Sequence, residues 1–238
     1  MVGATSVRLP RRLVTALFVG HPTAGVLLGL LAGLGLEWLA QSSTGFDGLL
    51  GAGTHVGEPV ALGVMAGLGA LVGVLLAVTI YGESLRARVS SRSLTLEWDD
   101  ARVSVPRHLV SAVVLAEDLV LIGPGTVELA RVRLDVDRAA LRRALDAHGY
   151  PEPLTEDPHD DAFAPVCPAG GLTTSDLRLL EARSAALTDG AHGDAELLRR
   201  QLAARGIMVR DLHRPGRRSA GQQWRAVESL LAPHAAAA

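Results

Sequence analysis

Arginine, tryptophan and a few acids are the residues of this chain best suited to chemistry. Between Leu197 and Arg225 stand Arg199, Arg200, Arg205, Arg210, Arg214, Arg217, Arg218 and Arg225, against Asp211 alone. Clustered guanidiniums neutralise phosphates, and Trp224 beside Arg225 offers a face on which a base can stack. On that ground Arg210, Arg214, Arg217, Arg218, Trp224 and Arg225 are the candidate RNA-binding residues. Contact with anionic lipid headgroups and plain solvation of an arginine-rich surface are the competing readings. All 23 basic residues are arginine, so the arginine content is first a codon effect of a GC-rich genome.

Groups for covalent or metal chemistry are sparse. Cys167 is the single cysteine, which excludes an internal disulfide, a CxxC pair and a multi-cysteine zinc site. A nucleophilic thiol needs a base that lowers its pKa, and the proline-flanked stretch around Cys167 offers none. Glu156-Asp157-Pro158-His159-Asp160-Asp161 sets acids around one histidine, which reads as a solvated linker rather than a metal site. No catalytic residue, metal or cofactor is expected. The chain reads as one that binds rather than catalyses.

The elements that position these residues begin in an apolar half. The chain has 238 residues, 48% hydrophobic and only 3% aromatic, with a formal charge of -2. From Leu13 to Trp38 the one charge is Glu37, and from Val60 to Tyr81 there is none. A membrane helix needs about 20 mostly apolar residues, so both stretches qualify. His21 and Pro22 move the continuous first span toward Leu17–Leu36. Arg8, Arg11 and Arg12 precede the first helix, Arg86, Arg88 and Arg92 follow the second, and the loop between carries no basic residue. The positive-inside rule then places both termini in the cytoplasm. Gly25, Gly29 and Gly33, with Gly63/Gly67 and Gly69/Gly73, form small-residue ribs that suit either a dimer face or, as favoured here, the hairpin packing on itself.

Past Ser90 the pattern becomes strand-like. Leu94–Trp98, Arg102–Val105, Leu119–Ile122, Val127–Leu129 and Val132–Leu134 alternate or form short apolar runs. A helix follows over Arg138–His148, with Asp137 as its cap and Gly149 past its end. Strands closed by one helix form the ground plan of a small PH-like module. Residues 151–171 read as a linker. Helices over Ser175–Thr188 and Asp194–Ala204, then strands Ile207–Val209 and Gln223–Val227, make the last module. The expected fold class is thus a membrane α-hairpin plus small α+β modules, PH-like over 82–150 and helix-helix-β-hairpin over 172–234. The hairpin itself comprises residues 13–40 and 60–81, around an external loop at 41–59.

Leu134-Asp135-Val136-Asp137, Ala147-His148-Gly149-Tyr150-Pro151 and Asp157-Pro158-His159 together resemble the YqeB family of bacterial membrane proteins. The run Ala195-Glu196-Leu197-Leu198-Arg199-Arg200 to Gly206-Ile207-Met208-Val209-Arg210-Asp211, closed by Trp224-Arg225, is similar to the C-terminal segment of cysteinyl-tRNA synthetases. The resemblance implies two transmembrane helices, a PH-like domain and a synthetase-derived terminal module in the inner membrane. The synthetase catalytic signatures and zinc ligands are absent, which excludes aminoacylation, and the loop between Asp211 and Trp224 is longer and more basic than the synthetase loop. The expected partners are the lipid bilayer, a cytoplasmic protein that the sequence does not identify, RNA as an alternative, and a second copy through the glycine ribs.

Overall fold

A computed structural model of the chain describes residues 3–42, 58–167, 171–212 and 221–227, which form two compact units. The first, Pro10–Glu83, is a pair of helices, α1 (Arg11–Ser42) and α2 (Glu58–Glu83). Both are long and apolar enough to cross a membrane, over Arg11–Leu36 and Pro59–Glu83. Their outward surfaces are apolar, with Leu27, Leu28, Leu31, Leu68, Leu71 and Leu75 exposed. Glycine sets the approach between them. The backbones of Gly25 and Gly69, Gly29 and Met65, and Gly73 and His21 come so close that a β-carbon at any of these glycines would overlap a facing backbone carbonyl. Gly63 and Gly67 face open space. The favoured self-packing therefore uses two of the three ribs.

Pro22 lies inside α1 and lacks the N–H that a helix interior uses. Side chains serve the carbonyls on either side of the lost bond. His21 Nδ1 donates to Leu17 O at 3.1 Å, and Thr23 Oγ1 donates to Val19 O at 2.7 Å. The helix thereby continues through the proline.

The second unit combines the residues before Pro10 with those from Ser84 onward. Its first sheet has the order β1-β2-β3-β4, from β1 (Thr5–Val7), β2 (Arg86–Val89), β3 (Ser93–Trp98) and β4 (Ala101–Pro106). The second has the order β5-β6-β7, from β5 (Ala112–Leu115), β6 (Asp118–Ile122) and β7 (Glu128–Arg133), and is followed by α3 (Arg138–Ala147). Period-two alternation explains the first sheet. Leu94, Leu96, Val103 and Val105 face inward while Ser104 and Arg102 face out. Asp99 turns the β3–β4 corner at φ 47°, a left-handed conformation that Asp adopts more readily than most residues. Asp137 caps α3 by accepting from Ala140 N at 2.9 Å. Leu94, Leu96, Leu119, Leu121, Leu141 and Leu145 are fully buried in the common core, each contributing about 2 kcal/mol of burial.

The PH-like module starts far earlier than the boundary at residue 82. β1 lies before the apolar helices and pairs antiparallel with β2, Val7 opposite Ala87 and Thr5 opposite Val89. The helix pair is therefore inserted, in sequence, where a β1–β2 turn would be. Thr5 Oγ1 also meets His148 Nε2 at 3.0 Å, and Arg8 O accepts from Asp137 N at 3.0 Å.

In the C-terminal module α4 (Thr174–Thr188) and α5 (His192–Ala204) pack on a sheet of order β8-β10-β9, where β8 is Ala164–Pro165, β9 Ile207–Asp211 and β10 Gln222–Ala226. Thr173 and Asp176 form a capping box at the start of α4. The stretch 151–171 proves to be more than a linker. Leu154 bonds to both Val113 and Leu115 of β5, Asp157 and Phe163 are drawn inward, and β8 pairs with β10.

Candidate functional site

Guanidiniums from both modules converge on Phe163. Phe163 is 8% exposed, with the guanidinium carbons of Arg210 at 4.3 Å, Arg131 at 5.3 Å and Arg225 at 5.4 Å from its ring centre. Cations over an aromatic face are attracted by its quadrupole, and desolvation strengthens the attraction. The strap at 151–167 delivers Phe163, β7 delivers Arg131, and the β9–β10 pair delivers Arg210 and Arg225, which lie on one face of that pair beside Gln223 and Met208.

Carboxylates neutralise the cluster. Arg131 donates to Glu128 at 2.9 and 3.0 Å, to Asp118 at 2.9 Å and to Asp157 at 2.6 Å. A residue three away on a strand ordinarily points to the other face. Here β7 carries an extra residue between the partners of Leu121 and Ile122, and that bulge brings Glu128 beside Arg131. Burial alone would lower the Arg131 pKa, but Glu128, Asp157 and Asp118 reverse this and push it above the ordinary arginine value. For Asp157, burial works to raise the carboxyl pKa. The His159 amide and Arg131 outweigh it and hold the group below the ordinary carboxylate value.

The same residues join the two modules. Arg225, 4% exposed, donates to Thr126 O at 2.7 Å and lies 3.3 Å from Glu128 Oε1. Arg199, 3% exposed, donates to Glu128 O and Leu129 O at 3.0 Å while paired with Glu196 at 2.7 and 2.8 Å. Thr126 has φ 63°, a costly conformation for a β-branched residue, and its carbonyl is the one Arg225 holds. At the far end of the junction Asp100 accepts from Gly193 N at 2.8 Å, at the first turn of α5, where the helix has no side-chain cap of its own.

The sequence-based candidates divide accordingly. Arg225 is interior, and among the described residues every side-chain hydrogen bond it makes goes to the PH-like module, so in this fold its guanidinium is occupied by the protein itself. Arg210 is bonded to Gln223 at 2.7 Å and to the Asp160 carboxylate. Trp224 is partly buried against Leu180, Leu202, Ile207 and Val209, so its ring serves the module's core instead of an open stacking face. Arg200 pairs with Glu196 at 3.3 Å and Arg205 with Asp176 at 3.1 Å. Arg214, Arg217 and Arg218 lie outside the described residues. Glu128, Arg131 and Phe163 were missed from sequence. The one available signal was Phe163, a lone aromatic side chain in an otherwise acidic and proline-rich stretch.

Comparison with known proteins follows the same division. Residues 5–153 match the model of the YqeB-like bacterial PH domain, a span that begins at β1 and runs through the inserted helices. Residues 169–225 match the model of the cysteinyl-tRNA ligase anticodon binding domain. The Bacillus subtilis (strain 168) protein titled "Uncharacterized protein YqeB" is 31% identical over 172 residues, covering 71% of this chain and 66% of that protein. About a third of that relative therefore lies beyond the match. No solved structure matches. A seven-strand PH-like module interrupted by an apolar helix pair, followed by a terminal module of the ligase type, places the chain in the YqeB-like family of bacterial PH-domain proteins.

Proposed function

We propose that this chain is an integral membrane protein that presents a rigid two-module binding platform on the cytoplasmic side, acting by interaction rather than catalysis. The observation that carries the reading is the insertion of the helix pair between β1 and β2. A strand pair that must close across the insertion requires both helix ends to emerge on the side where the module folds. Arg11 and Arg12 at one end and Arg86 and Arg88 at the other make that side the cytoplasm by the positive-inside rule. The joined modules then act as one body, because Arg199 and Arg225 bind the backbone of the PH-like module from the other. Sodium carbonate extraction of membranes tests the anchor. The chain is expected to stay with the bilayer, and its release into the wash would contradict the proposal.

A second reading, membrane-tethered RNA binding, draws on the match of residues 169–225 to an anticodon binding domain model. It rests on Arg214, Arg217 and Arg218, since Arg210, Trp224 and Arg225 are engaged within the protein. Affinity of the full chain for tRNA should then fall with salt by about 0.7 of a power per phosphate neutralised. Changing those three arginines to glutamate should abolish it. Binding that is flat in salt, or unchanged in the triple variant, would remove this reading and leave a protein partner.

A further inference from the structure

We infer that the outer face of the β1–β4 sheet is a contact surface for the anionic lipid headgroups of the membrane that holds the hairpin, an inference that rests on the membrane reading above. Along β2, Ala87 and Val89 are buried while Arg86 and Arg88 take the opposite face, Arg88 exposed. Among the described residues neither arginine has an ion pair or a side-chain hydrogen bond. Arg86 stands opposite Glu97, and Arg88 stands opposite Thr95, which stands opposite Ser104.

The nearby acids, by contrast, are engaged. Glu97 pairs with Arg102 at 3.2 Å. Asp100 accepts from Gly193 N at 2.8 Å, and Asp99 lies 3.3 Å from His192 Nε2. Across these three strands the face presents three arginines, Arg86, Arg88 and Arg102, against the single carboxylate of Glu97, and a negatively charged surface complements it.

Chain length selects that surface. Arg86 follows Glu83, the last residue of α2 and the only acid in the connection, by three positions, and Arg88 follows it by five. An extended chain spans about 3.5 Å per residue, so the two arginines lie within about 10 and 18 Å of the helix end. Headgroups extend roughly 5–8 Å beyond the hydrocarbon on each side, and their field reaches about 8 Å further. Arginine near such a surface shifts the balance toward contact by about fivefold per residue.

The test uses the full chain in lipid nanodiscs, with Cys167→Ser and Ser104→Cys carrying a donor dye and a headgroup-labelled lipid as acceptor. Energy transfer should be higher in discs containing phosphatidylglycerol than in pure phosphatidylcholine discs, and the excess should vanish in molar salt. Arg86→Glu with Arg88→Glu should abolish the excess, whereas Arg142→Glu, an exposed position on α3, should keep it. Equal transfer in the two lipids, or an excess that survives the double variant, would overturn the inference while leaving the anchor intact. Failure of the chain to enter discs at all would overturn both.

Discussion

Arg214 and Arg225 are eleven residues apart and look equivalent in sequence, yet they should respond to mutation in different ways. Arg225→Ala removes a buried donor to Thr126 O and strips a partner from the buried Glu128 carboxylate. Breaking one side of such a pair should lower unfolding free energy by about 3 kcal/mol, read from chemical denaturation of the full chain in detergent. On the RNA reading above, Arg214→Glu should instead lower the affinity for tRNA, read from a binding titration. Acid provides a second residue-scale check. The folded pKa of Asp157 lies below its ordinary value of about 3.9, so its contribution is complete above that value and fades as pH falls through the lower folded one. Wild type should lose stability below about pH 4 more steeply than Asp157→Asn, measured as midpoint against pH; parallel curves would mean that Asp157 carries no linkage. None of this was legible beforehand. Local charge counting sees eight arginines against one acid, while the carboxylates that pair with those arginines among the described residues, Glu128, Asp160, Asp176 and Glu196, all lie before that stretch.

Elements were more legible than their partners. Alternation in Leu94–Trp98 and Ala101–Pro106, and the cap and stop signals of the helices, are local and carried over to the structure with shifts of a residue or two. β1 was invisible because Thr5–Val7 is three residues long, buries only Val7, and pairs with a strand on the far side of the helix pair. Its presence makes a strong prediction. Joining Leu9 to Ser84 by a short turn, with Pro10–Glu83 removed, should give a soluble chain that folds with the first sheet complete. A chain starting at Ser84 should be less stable than that fusion by denaturant midpoint, and equal midpoints would show β1 to be dispensable. Within the hairpin, Gly25→Leu or Gly73→Leu should break the α1–α2 approach and lower the yield of folded protein in detergent, because each faces backbone. Gly67→Leu faces open space and should leave the yield unchanged. A loss of yield at Gly67 would instead point to a second copy packing there.

At the scale of the molecule, the inserted helix pair connects the fold to its location. On the membrane reading proposed above, a PH-like module whose first strand precedes the helices and whose second follows them cannot be divided by a bilayer, so both modules are expected on one side. Cys167 provides the most direct test of this claim, since it is the chain's only thiol and is exposed. A membrane-impermeant maleimide applied to spheroplasts should leave Cys167 unlabelled and should label it in inverted membrane vesicles. With Cys167→Ser and Gly51→Cys, the pattern should reverse. Labelling of Cys167 from the outside of sealed spheroplasts would contradict the cytoplasmic platform and the orientation on which it depends.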